Sequence, residues 1–296
     1  MIMISDENQG LLLALLAALG FAGKTILAKL CYNYGADPLT VLAVRMAFAG
    51  PVFAGILFFN LTRKRWTLDL TLRQWLWVAP LAFFGYYLSP LLDFSGLKYV
   101  DATLGRLILF LYPTLVVLAS AALARRRPPL RVWLALALGY GGLGLMMAPR
   151  LGGPDFTLGC ALIFSAALTF AFYLVVMEKI FKTVNVPLFT SIVMSLSCLA
   201  VLVHFSLTRP LVSGLAATPA PVLFYGAVMA LFSTVLPVYA MNIGIARLGA
   251  DRASIVGMLG PVLTFGLGFF LLGERLTLVQ FFGMILVILG VSRVKN

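Results

Sequence analysis

GLKYVDATLGRLILFLYP, residues 96–113, and GIARLGADRASIVGMLGP, residues 244–261, are two versions of one pattern set 148 residues apart in a chain of 296. Gly96 matches Gly244, Ala102 matches Ala250 and Pro113 matches Pro261. The first copy also places a cation, Arg106, inside its apolar run, where the second has Ser254. Working outward, an offset of 149 aligns Gly10 with Gly159, Ala18 and Ala22 with Ala167 and Ala171, Phe21 with Phe170, and Pro38 with Pro187. A register kept over most of a half-chain points to internal duplication, with halves 1–149 and 150–296.

The composition says where such a chain lives. It is 62% apolar and 11% charged, with a mean hydropathy of +1.04, which leaves too little polar surface for a water-soluble domain. Apolar runs near twenty residues recur throughout, each long enough to cross a hydrocarbon core of ~30 Å as a helix. Ten spans are expected, at about 9–30, 39–60, 73–92, 97–121, 131–149, 156–177, 187–207, 220–243, 250–272 and 277–292. The fold class is therefore an all-α membrane protein. Five spans per half is an odd number, so the second half enters the membrane inverted. Ten transmembrane helices in two inverted five-helix repeats suit a carrier that opens one site to either face.

The net charge of +12 does not indicate nucleic acid, because the cations follow the loops. Fourteen Lys and Arg fall on the side of the N-terminus, including Arg63-Lys64-Arg65 and Arg125-Arg126-Arg127, and five on the other. The positive-inside rule then puts both termini in the cytoplasm, in a multi-pass protein of the cytoplasmic (inner) membrane. The leading MIMISDENQ is acidic and unlike a cleavable signal. Cys31, Cys160 and Cys198 form no paired motif, so neither a disulfide framework nor a metal site is expected, and no cofactor.

Small residues four apart (Ala18 and Ala22, Ala167 and Ala171) let membrane helices approach closely. Pro113 and Pro261 each remove a helical hydrogen bond and release the carbonyls of Leu109 and Gly257, so both are candidate hinges facing the interior.

These features together resemble the drug/metabolite transporter superfamily, and within it the EamA-type transporters. The resemblance rests on the two quoted stretches, on Arg45 in LTVLAVRMAFAG and on the closing GPVLTFGLGFFLLGERLTLVQFFGMILVILGV with Pro261, Gly273, Glu274 and Gly283. It covers nearly the whole chain. The resemblance implies a secondary carrier of small metabolites, amino acids foremost and usually for export; amino-acid exporters of the YddG type are similar in length and helix count. It also implies a basket of helices 1–4 and 6–9, with helices 5 and 10 peripheral and candidate homodimer contacts.

Three cations sit within spans: Lys24, Arg45 and Arg106, roughly 10–14 Å below the outer surface at 1.5 Å per residue. Each costs about 2.5–3.5 kcal/mol if unrelieved. Two acids, Asp93 and Asp101, lie at similar depth, so cations are in excess. Arg45 either pairs with Asp93 or with freed helix carbonyls to hold helices together, or joins the substrate-binding wall; Lys24 and Arg106 are expected to face a water-filled cavity and attract an anionic substrate such as an amino acid or organic acid carboxylate. Tyr86, Tyr87, Tyr173, Tyr239, Asn242 and Ser254 are candidates for the remaining wall, with Phe21 and Phe170. His204, the sole histidine, is a surface or packing residue or a proton sensor. A membrane-embedded enzyme is disfavoured by the absence of HExxH, GxSxG and P-loop patterns. A channel-like facilitator is the alternative to a carrier.

Overall fold

The computed structural model describes residues 6–100, 102–146, 155–263 and 277–293. Asp101, Arg150, Gly273, Glu274, Arg275 and Lys295 lie outside the described residues. Among the described residues the regular structure is entirely helical, with no strand. Seven helical stretches are long and apolar enough to cross a membrane, and two shorter apolar helices cover Leu130–Leu145 and Phe281–Ser292.

In chain order the helices are α1 (Asp6–Ala22), α2 (Lys24–Asn33), α3 (Pro38–Thr62), α4 (Leu72–Leu81), α5 (Ser89–Gly96), α6 (Ala102–Leu109), α7 (Tyr112–Leu123) and α8 (Leu130–Met146). They continue as α9 (Phe156–Phe181), α10 (Val186–Thr208), α11 (Leu211–Ala216), α12 (Ala220–Ala230), α13 (Leu236–Leu248), α14 (Ala250–Gly257) and α15 (Leu278–Ser292). Their starts are written in the sequence. Asp37 accepts from the amides of Leu39 and Thr40 ahead of Pro38, Asn185 accepts from the Leu188 amide, and Thr71 with Gln74 forms a capping box.

Several rods are interrupted, and the interruptions recur at the repeat spacing. A π-helical turn, Ala82–Leu88, joins α4 to α5, and another, Leu231–Val235, joins α12 to α13. Each precedes a proline, Pro90 or Pro237, which cannot donate to the carbonyl four residues earlier. Those carbonyls belong to Tyr86 and Ser233. The chain also turns at 110–111 between α6 and α7, and again at 258–259 after α14. Pro113 therefore lies in the first turn of a new helix, as Pro261 does, rather than inside a continuous bent one. At the first of these breaks the Phe110 carbonyl accepts from the Tyr140 hydroxyl of α8 at 3.1 Å.

Packing pairs α1 with α13, α5 with α9, α3 with α10, α7 with α14, and α8 with α15. The small faces of α1 and α9 are buried as expected. Close approach needs glycine at two crossings. A Cβ on Gly96 would lie 2.9 Å from the Gly159 carbonyl, and one on Gly244 would lie 3.3 Å from the Gly10 carbonyl. At the bundle's edge, α8 and α15 make their main contact with each other.

Candidate functional site

The interruptions gather around an internal cavity of about 260 Å³. Phe21 and Lys24 reach it from the α1–α2 break, Arg45 from α3, and Gly85 and Tyr86 from the first π turn. Asp93 comes from α5, Arg106, Leu109, Phe110 and Tyr112 from the broken α6–α7 pair, and Phe170 from α9. Ser233, Met241 and the segment Gly257–Pro261 close the remaining side, Gly257, Gly260 and Pro261 lining it. Residues Leu109 and Gly257, whose carbonyls the two prolines release, both line the space, and backbone that departs from the helix is tolerated at membrane depth where it borders such a cavity.

All three intramembrane cations line the cavity, but their partners differ from the expectation. Lys24 Nζ meets Asp93 Oδ2 at 2.8 Å, so the acid expected to offset Arg45 is held by the lysine instead. The reason is placement. Lys24 opens α2 just past the break at Gly23 and Asp93 sits late in α5, while Arg45 approaches the same spot over the face of Phe94. Arg45 Cζ lies 5.3 Å from that ring's centroid and Lys24 Nζ 5.5 Å, so one ring receives two cations. Arg106 is also engaged: its Nη2 donates to the carbonyls of Phe21 and Ala22, both at 3.3 Å, which the α1–α2 break leaves open. Arg45 is different. It is 2% exposed, and its Nε and Nη2 are buried without a hydrogen-bond partner. The Tyr86 hydroxyl, also on the wall, is buried and unpartnered too. Asp93 is the only acid lining the cavity among the described residues.

Of the remaining sequence candidates, Tyr86 lines the cavity and Tyr87, Tyr173, Tyr239, Asn242 and Ser254 do not. Adjacent helical residues diverge by about 100°, so Tyr87 turns away from Tyr86 and bonds His204 Nδ1 at 3.0 Å. Tyr173 is fully buried behind the wall, edge-on to Tyr86 at 5.2 Å and stacked on Phe170 at 6.1 Å. Asn242 donates to the Tyr173 hydroxyl and to Thr190 Oγ1, each at 3.0 Å. Tyr239 shares a 2.7 Å hydrogen bond with Ser191, and the Ser254 hydroxyl donates to the Asp251 carbonyl at 2.8 Å. Tyr112 and Ser233 were missed, although each stood beside a signal: Tyr112 precedes Pro113, and Ser233 lies four residues before Pro237.

The model of the EamA-like transporter family matches residues 8–148 and again 157–294. The chain is 32% identical over 290 residues to the uncharacterized transporter YcbK of Bacillus subtilis, covering 95% of this chain and 90% of that one. It is 25% identical to the uncharacterized transporter sll1319 of Synechocystis, covering 98% and 94%. A crystal structure at 17% identity superposes with a TM-score of 0.77 over 96% of this chain and 95% of the other, which is a likeness of fold.

Proposed function

Because the chain belongs to the EamA-like transporter family, we propose that it is a secondary carrier that exports small carboxylates, amino acids or organic acids, across the cytoplasmic membrane by alternating access. It is a membrane transporter rather than an enzyme; the substrate, direction and mechanism are the proposal. One observation carries it. Among the described residues three cations and a single acid converge on a cavity bordered by helix breaks, and intramembrane charge of this kind marks a substrate pathway.

Alternating access draws support from the symmetry of the parts. The two α-to-π interruptions begin 149 residues apart, the two helix breaks lie 148 apart, and the family model matches each half separately. The pairing of α1 with α13 is mirrored by that of α9 with α5. Such exchange of partners fits two inverted five-helix repeats of a ten-span bundle about an in-plane axis. In this arrangement Lys24, Arg45, Arg106 and Tyr86 form the substrate wall, and the segments at Pro113 and Pro261 flex. The loop charge bias supports cytoplasmic termini.

Counterflow in proteoliposomes tests the proposal. Loading with unlabelled carboxylate should accelerate and saturate uptake of the labelled compound. Uptake that is unsaturable and insensitive to the trans pool would replace the carrier with a channel.

A further inference from the structure

We infer that Arg45 is the anion anchor of the cavity and that the ligand is a net-anionic organic acid without an ammonium group, such as a 2-oxo acid, rather than an amino acid. The inference rests on the carrier reading and narrows its substrate. Lys24 is held by Asp93 at 2.8 Å, and Arg106 by two backbone carbonyls at 3.3 Å. Arg45, a lining residue that is 2% exposed, keeps its buried Nε and Nη2 unpartnered. An unsatisfied buried guanidinium is costly, more so than a neutral group. Nε and one Nη form the side-on fork that matches the two oxygens of a carboxylate. The Tyr86 hydroxyl, unpartnered on the same wall, supplies one further hydrogen bond to an oxygen beside that carboxylate.

Charge decides against an amino acid. Among the described residues the cavity presents three cations and one acid, so two positive charges await compensation. A zwitterion brings no net charge, and its ammonium would compete with Lys24 for Asp93, the one carboxylate described on the wall. A 2-oxo acid carries the same carboxylate with an oxygen acceptor where the amino acid has an ammonium. Much of the remaining wall, including Phe21, Leu109, Phe110, Phe170 and Met241, is apolar and suits a hydrocarbon or aromatic body. At about 260 Å³ the space lies below the usual range for drug-sized ligands, so that body is short.

Matched probes test this on the purified full-length protein. Aliphatic and aromatic 2-oxo acids, the corresponding 2-amino acids and the corresponding amines are compared by thermal shift, since a ligand that binds only the native state raises the transition by mass action. The oxo acids should raise it in a saturable way while the amino acids and amines do not. Arg45→Lys should weaken oxo-acid binding at least tenfold, because an ammonium cannot reproduce the fork. Arg45→Gln should abolish the shift where that variant folds; Arg45→Lys, which keeps the charge, is the decisive arm if it does not. Amino acids stabilising as well as oxo acids would overturn the ligand class and leave the carrier standing. An oxo-acid shift unchanged in Arg45→Lys would remove Arg45 as anchor, even if the ligand-free protein melts lower. No shift from any oxo acid would overturn the inference as a whole. Oxo acids that bind but show no counterflow would instead defeat the carrier reading and spare the binding site.

Discussion

Lys24 and Asp93 join the first helical rod to the third through an ion pair at 2.8 Å. The residues 149 positions on, Tyr173 and Asn242, join the corresponding rods of the second half through neutral hydrogen bonds of 3.0 and 3.3 Å. The same two positions make the same connection with opposite electrostatics. The substitution continues nearby: Arg106 has Ser254 as its counterpart at 148, and Lys29 has Glu178 at 149. Lys29 Nζ donates to the carbonyls of Leu97 at 2.6 Å and Val100 at 3.2 Å, just past the C-terminal end of α5. Glu178 accepts from the Ala250 amide at 3.0 Å at the N-terminus of α14. Cation on carbonyl and carboxylate on amide are each the favoured partner for that helix end. The two stretches thus keep their connections at one spacing, while the first concentrates positive charge at the cavity and the second, among the described residues, presents no charge there.

Removing one member of each pair separates the ionic connection from the neutral one. Asp93→Leu strands Lys24 in a buried site and should cost about 3–5 kcal/mol. Asn242→Leu removes only neutral hydrogen bonds and should cost about 1–3 kcal/mol. The double variant Lys24→Met/Asp93→Leu replaces both charges with apolar groups and should recover most of the stability, because a buried pair is often no better than a well-packed apolar substitute. Its transport should remain lost. Thermal unfolding and counterflow on the same preparations separate the two effects. Equal destabilisation by Asp93→Leu and Asn242→Leu would show that the ionic character of the first pair carries no weight.

Pro113 and Pro261 ask whether the halves are also mechanically alike. Each begins a new helical segment two residues after a break, so alanine at either position should let the flanking helices become continuous. Exchange is expected to slow several-fold in both variants with little loss of folded yield. Unchanged exchange in both would remove the breaks from the transport cycle, whereas slowing in only one would make the motion as asymmetric as the charge.

How far the sequence could be read follows from the same contrast. Features fixed by one residue type at one position were legible: the matched glycines at the helix crossings, the prolines that release Leu109 and Gly257, and the depth of Lys24, Arg45 and Arg106. Features set by helix phase were not. Tyr86 and Tyr87 are equivalent as letters, but only the structure says which faces the cavity. The choice of Lys24 over Arg45 as the partner of Asp93 depends on the α1–α2 break at Gly23, which a continuous-helix reading of residues 9–30 conceals. Arg106 was legible as a cation needing an acceptor, but its acceptors are backbone carbonyls exposed by that same hidden break.

The smallest expected effect lies at the entrances of α3 and α10, where the halves again differ by a charge. Asp37 caps α3 and Asn185 caps α10. Burial pushes the Asp37 carboxyl up, but the Thr40 hydroxyl and amide and the Arg209 guanidinium at 3.0 Å outweigh it and hold the group below its ordinary value. A carboxyl depressed in the folded state contributes stability that is complete above its unfolded value, near 4, and is lost as the pH falls through the folded one. Acidification below about pH 4 should therefore cost the wild type more than Asp37→Asn, which keeps a good cap but has no charge to lose. Because Asp37 and Arg209 are both partly exposed, with side chains 34% and 42% accessible, the difference should stay under about 1 kcal/mol. The reciprocal variant, Asn185→Asp, has no equivalent of Arg209 described against it and should gain less acid sensitivity than Asp37 confers. Melting curves of the three proteins across this pH range give the comparison directly; an identical pH dependence in wild type and Asp37→Asn would mean that the charge at this cap is energetically silent.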